Sequence, residues 1–240
     1  MSTWEHSSPR ELAPPTREIR NAFEEEVAAL GGELRDAFDD GTRLFLRAVL
    51  PSAADVRPGD TVRGGVALRT AGPDVLVHPY TFRQVCTNGA IRAHATGTLR
   101  IERVGPTFPG LAVVEAAAAL AAVHDAIRMC ASSDEFLLGI HEMRSAAEVD
   151  ADHVLTLLPL LTQLGQVHGG LVLQQISERF RSRPDPDRSA YGLMNAVTSV
   201  ARDTTDPELR WRLEELGGGV PVRRPPRPTA APDARALVEA

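Results

Sequence analysis

The feature that most constrains this chain is a change of hydrophobic period. Ile19, Phe23, Val27 and Leu30, with Leu34 and Phe38 continuing, recur at helical spacing. From Gly41 the period becomes two. Leu44, Leu46, Ala48 and Leu50 alternate with Arg43, Phe45, Arg47 and Val49, and Val62, Gly64, Val66 and Leu68 alternate with Arg63 and Arg69. Beyond Gly110 helical spacing returns almost to the end. The expected fold class is therefore α+β. It comprises a helix over residues 16–40 that Gly31-Gly32 ends or breaks, an antiparallel sheet of four to five strands with one apolar face over 41–105, and a helical layer or bundle over 106–219. Pro and Gly in VRPGD (56–60) and AGPD (71–74) mark turns of a meander, and Gly64-Gly65 marks a bulge or a close backbone approach. Residues 1–15 and the Arg/Pro-rich 220–240 are expected to be disordered.

At 240 residues and 43% hydrophobic content the chain can build a core without disulfide or metal support. Cys86 and Cys130 are far apart and show no CxxC spacing, which suits a reducing, cytoplasmic setting. The first residues hold no apolar leader, and no 18-residue uncharged apolar run occurs, so no membrane partner is expected. All 26 basic residues are arginine. That excludes a Schiff-base lysine and a P-loop lysine, and with them pyridoxal phosphate and a P-loop nucleotide cofactor. No cofactor is expected. The net charge of -6 is unevenly placed: residues 42–104 carry 9 Arg against 4 Asp/Glu, between two acidic segments.

FRQVCTNGAI (82–91) poses a choice between a nucleophilic cysteine and a hairpin. Asn-Gly between strand-like residues favours a two-residue type I′ turn, whose central residues need positive φ. In that register Cys86 faces Ile91 and Phe82 faces Ala95 on an apolar side, while Arg83, Arg92 and His94 share the other. Cys86 then behaves as a small hydrophobe rather than a nucleophile. A short helical turn over 80–86 is the competing local structure, and a one-residue slip would invert the faces.

The later helices are signposted. The alanine-rich stretch 111–130 reads as a largely buried helix. Ser132 with Glu135 forms a capping box for a helix to about Ala147, and Ser189 and Asp206-Pro207-Glu208 open two more. Pro159 kinks or splits 152–165, residues 170–182 read as a helix, and Gly217 is expected as the C′ residue ending the last one.

Two stretches resemble the phage/plasmid-like protein family, a family of unknown function. HPYTFRQVCTNGAI (78–91), preceded by Pro58-Gly59-Asp60, resembles its aromatic-Arg-x-Val-Cys-x-Asn-Gly signature. NAVTSVARDTTDPELRWRLEELGG (195–218) resembles its helical C-terminal part. The resemblance implies Cys86, Asn88, Gly89 and Asn195 as motif residues and a mobile-element setting. It implies no catalytic residue, and the segment between Arg103 and Ser189 departs from it.

No catalytic constellation emerges. His141-Glu142 starts like a zincin helix but Ser145 stands where the second histidine belongs, and neither GxSxG nor GxGxxG is present. His124, His141, His153 and His168 fall on successive helices and are read as separate, with a metal-dependent enzyme as an alternative and no metal ligands assigned. The feature expected to act is an arginine-lined sheet face built from Arg63, Arg69, Arg83, Arg92, His94 and Arg100, suited to gripping single-stranded nucleic acid. Acidic helices covering those arginines by ion pairs are the plain alternative. A further alternative is a protein-interaction or homo-oligomeric module in which acidic helices of one copy meet the basic sheet of another.

Overall fold

The structure is a computed structural model that describes residues 16–71, 74–84, 87–93, 98–102, 112–149, 151–164, 166–182 and 187–221. Cys86, His94, residues 1–15 and residues 222–240 lie outside the described residues, whereas Val220, expected in the disordered tail, is buried in the core that α7 and α8 share.

Among the described residues helix α1 (Thr16–Ala29) leads into six strands, β1 (Glu33–Asp39), β2 (Leu44–Arg57), β3 (Asp60–Ala71), β4 (Asp74–Arg83), β5 (Asn88–Ile91) and β6 (Leu99–Glu102). The strands form one antiparallel sheet in the order β1-β2-β3-β4-β5, with β6 pairing the other half of β4's free edge. The α+β meander is as expected, but the helix does not run to residue 40. Gly31, at φ 71, turns the chain into β1. Leu34 and Phe38 continue the helical spacing only by coincidence with a strand in which Phe38 pairs Phe45.

Pro58-Gly59 makes the β2–β3 hairpin, with Gly59 at φ 77 where L side chains are strained. The pairing of β2 with β3 is irregular between Val49 and Ala53, opposite Gly64-Gly65. A Cβ at Gly65 would meet the Ala48 carbonyl oxygen at 2.1 Å, so close approach sets that glycine.

Asn88-Gly89 is not the turn. Arg83 pairs Asn88 and Tyr80 pairs Ile91, so Asn88 opens β5, and the positive φ falls on Thr87 at 52°. Gly89 is required for another reason: its missing side chain leaves room for the Tyr80 ring, whose hydroxyl a Cβ would meet at 1.7 Å. The shift preserves parity, and Phe82 and Ile91 still share one side while Arg83 shares the other with Ala90.

Among the described residues seven α-helices follow: α2 (Ala112–Cys130), α3 (Ser133–Arg144), α4 (Ala151–Leu155), α5 (Leu158–Leu161), α6 (Gln166–Arg181), α7 (Ala190–Arg202) and α8 (Pro207–Gly219). Ser132, Ser189 and Asp206 cap α3, α7 and α8 by accepting a backbone N–H three residues on. Pro159 sits in the first turn of α5, where its missing N–H costs nothing, so the 152–165 stretch is split.

The expectation of one apolar face needs correction. Leu44, Leu46, Ala48, Val66, Leu68, Val75 and Val77 form the first face, covered by Ile19, Phe23 and Val27 of α1 and by Val123 and Ile127 of α2. Val62 and Ala90, farther along that face, pack with α3 and α7. The second face, bearing Phe45, Val49, Ala67, Tyr80 and Ile91, is covered by Trp211 of α8. Phe45 and Val49 among the arginines were the sign that this face is also buried. Because sheet and helices share cores, residues 41–105 and 106–219 are not independent halves.

The C-terminal glycines lie within α8 rather than ending it at Gly217. A Cβ at Gly217 would meet Thr198 of α7 at 2.6 Å, and one at Gly218 would meet the Ile91 carbonyl oxygen at 2.0 Å. Helix α8 thus lies nearly in contact with the β5 backbone on one face while α7 occupies the other.

Candidate functional surfaces

The alternation of the strands distributes the arginines over both sides of the sheet. Arg63, Arg69 and Arg100 share the α8 side, and Arg83 and Arg92 the opposite one. All five hold carboxylates. Arg63 Nη1 donates to Glu33 at 3.0 Å while its Nε and Nη2 donate to the Leu50 carbonyl. Arg69 pairs Glu208 at 3.0 Å, and the largely exposed Arg100 pairs Asp74. Arg83 grips Asp60 bidentately at 2.5 and 2.7 Å. Arg92, 2% exposed, lies under α3, donating to Glu142 at 2.9 Å and to the Glu135 carbonyl at 2.6 Å. Gly139 leaves the space its guanidinium fills. The expected common basic face is therefore corrected: acidic groups of α3 and α8, with carboxylates of the sheet itself, neutralise these arginines within one copy. A strand's period of two puts Arg83 and Arg92 on the side opposite Arg63 and Arg69.

Asp60, Arg83, Gly89 and Asn195 come from distant segments and meet at one junction. Asp60 from the Pro-Gly-Asp turn accepts from Arg83 and, at 3.1 Å, from the Tyr191 hydroxyl of α7. Gly89, Tyr191 and Asn195 line the same small crevice, and the Tyr191 ring lies beneath the guanidiniums of Arg57 and Arg83, each 5.9 Å from its centroid. Burial pushes the Tyr191 phenol well above its ordinary range, which keeps it a donor to Asp60. The junction ties the base of the β4–β5 hairpin to α7.

The second face holds a polar network that the sequence reading did not assemble. Arg47, 2% exposed, donates to Glu214 at 2.5 Å and to Asp36 at 3.1 Å, and Arg210 pairs the same two carboxylates at 3.2 and 2.9 Å. Two guanidiniums against two carboxylates leave no net charge to bury. Trp211 lies 5.4 Å from the guanidinium carbons of both Arg47 and Arg69. The signal was Trp211 and Glu214, three apart on α8, with Gly218 one turn further: a single stripe aimed at the sheet.

Beside that network, α5 and α8 enclose a cleft of about 440 Å³ with Arg69 and Arg212 on its wall. Glu208 Oε1 accepts from Arg69 Nη1 and from Arg212 Nε, both at 3.0 Å. Burial raises the Glu215 carboxyl. It also pushes His78, beneath it, down to about 4. The Thr98 hydroxyl donates to the Arg92 carbonyl, so His78 Nδ1 donates to Thr98 at 3.2 Å. His78 Nε2 then presents a lone pair 3.7 Å from Glu215.

His124 meets Glu26 of α1 at 2.9 Å, and among the described residues no three metal-ligating side chains cluster. Cys130 is buried, and its thiol is held far above the ordinary range by burial. No helix of the described residues is long and apolar enough to cross a membrane.

The helical shell is incompletely covered. Among the described residues, the large apolar side chains left exposed, Leu34 apart, lie on helices after the sheet. The stretch 111–130, expected to be largely buried, forms α2 with its first half outside the core: Val113 is 81% and Val114 63% exposed, and Ala117, Ala118 and Ala121 are exposed beside them. The buried residues of α2 are Val123, Ala126, Ile127 and Cys130, with Leu120 partly buried against the same core. Compared with protein-family models, with curated proteins and with solved structures, the chain finds no match.

Proposed function

We propose that this chain is a non-enzymatic assembly module that associates with a second copy of itself through apolar helix faces. The observation that carries the reading is α2, whose first half presents Val113, Val114, Ala117, Ala118 and Ala121 to solvent with no charge among them. Such a stripe meets its own copy without like-charge repulsion, and small residues let two helices approach closely. The charge-driven variant, acidic helix on basic sheet between copies, has less support because those pairs are already made within one chain. Single-stranded nucleic acid on the sheet would have to displace the same pairs. The phage/plasmid-like resemblance remains part of the proposal, supported by the meeting of Asp60, Arg83, Gly89 and Asn195 at one junction. The cysteine usage supports a cytoplasmic setting.

Light scattering from about 1 to 100 µM protein tests it. The mass rises toward twice 25.9 kDa and the rise persists at high salt, since apolar contacts are not screened. Val113→Arg with Val114→Arg keeps the circular dichroism of the parent and stays monomeric. A parent monomeric across the range, or a double variant that associates equally well, overturns the proposal.

A further inference from the structure

The cleft between α5 and α8 is not needed by the assembly reading, yet it is built. Leu160, Leu161, Leu213 and Leu216 give it an apolar wall, and Arg69, Arg212, Gln163 and Glu215, whose carboxyl burial raises toward its neutral form, give it a polar one. Its volume of about 440 Å³ lies within the roughly 300–1,000 Å³ of small-molecule sites. Its two guanidiniums share one oxygen of one carboxylate, Glu208. Arg69 Nε is buried and, among the described residues, has no hydrogen-bond partner. A buried donor left unsatisfied favours an acceptor that reaches it. Trp211, wholly buried against Arg69, fixes that guanidinium from below. Among the described residues Arg212 donates through Nε alone, to Glu208, and its side chain lines the cleft beside α8.

We propose that this cleft binds a small amphiphilic anion, a carboxylate or phosphate joined to a short apolar body, with its head on Arg69 and Arg212 and its body along the leucines. Guanidiniums hold either head group through paired N–H donors, and Gln163 adds an amide at the rim. Glu208 moves from bridging both arginines to pairing with one.

The full chain carrying Trp4→Phe has Trp211 as its remaining tryptophan, next to Arg69. Its emission is followed during titration with octanoate, octyl phosphate and octanol. Saturable change is expected with at least one anion at a dissociation constant of about 1 mM or below. Octanol is expected to bind at least about tenfold more weakly, and the tighter of the two anions identifies the head group. Arg212→Gln, at a half-exposed position, keeps the parent's melting temperature and weakens anion binding about fivefold or more. No saturable change up to about 10 mM, octanol binding as tightly as the anions, or indifference to Arg212→Gln overturns the site.

Discussion

Gly218 offers a test in which the usual sign of a substitution is reversed by one contact. Within a helix, replacing glycine by alanine stabilises by about 1 kcal/mol, because glycine loses more backbone freedom on folding. Gly170, inside α6, has nothing within 4 Å of where a Cβ would stand, so Gly170→Ala follows that rule. At Gly218 the same methyl would sit 2.0 Å from the Ile91 carbonyl oxygen and 2.6 Å from its carbon. Both atoms belong to the backbone of a paired strand, so α8 must lift by more than an ångström. Lifting it loosens Trp211 against Phe45 and the 2.5 Å contact of Arg47 with Glu214. Overpacking of this kind costs about 1–3 kcal/mol, occasionally more, and here the upper end applies. After the helix gain of about 1 kcal/mol, Gly218→Ala is destabilising by about 2 kcal/mol, or a melting temperature lower by roughly 4–8 °C for a chain of this size. Gly170→Ala raises it by about 2–4 °C. Urea unfolding of the two variants and the parent, each carrying Trp4→Phe, gives the difference directly, with Trp211 emission as the local probe. If Gly218→Ala proved as stabilising as Gly170→Ala, the close seating of α8 on β5 would be refuted.

Three further outcomes follow from named contacts. The Glu26 carboxyl is held below its ordinary 4.5 chiefly by the hydrogen bond from Arg128, with His124 adding to it. A lowered folded-state value stabilises above the unfolded value and is lost as pH falls through the folded one, so the melting-temperature gap between parent and Glu26→Gln should be widest near neutral pH and close as pH drops below 4.5. A gap unchanged in acid would contradict the α1–α2 ion pair. At the hairpin junction, Tyr191→Phe removes the hydroxyl's hydrogen bonds with Asp60 and Asn195 and costs about 1–2 kcal/mol, whereas Asp60→Ala strips Arg83 of its bidentate carboxylate and costs about 3–5 kcal/mol. Equal losses in chemical denaturation would show that Asp60 does not anchor Arg83. Titration of a labelled single-stranded oligonucleotide at low salt is expected to show no saturable anisotropy change, since the sheet arginines are paired; binding that falls linearly with log salt would refute that.

Period and capping chemistry made much of the fold legible. The alternation through Leu44–Leu50 and Val62–Leu68, the Pro58-Gly59 turn, and the caps at Ser132, Ser189 and Asp206 all act through local geometry, which a sequence displays. The errors arose where partners are distant. Leu34 and Phe38 fit a helix as well as a strand, and only pairing with β2 decides between them. Gly89 and Gly217 were read as turn and cap residues, yet their need is close approach by Tyr80 and by Thr198. Arg69 and Arg83 were expected on one basic face, but strand pairing puts them on opposite sides, and the carboxylates that meet them, Glu208 and Asp60, lie 139 and 23 residues away and become neighbours only in the folded chain. Arginines spaced along strands therefore resembled a binding face while being largely internal cations.

The position of α8 also bears on how the chain is made. The sheet is complete in sequence by Glu102, but its second face waits for Trp211, more than a hundred residues later. Until that helix has been synthesised, Phe45, Tyr80 and Ile91 have no cover there, and Arg47 has no Glu214. The nascent chain thus carries a finished but unsealed sheet while more than a hundred further residues are added, and α8 is the part that closes it.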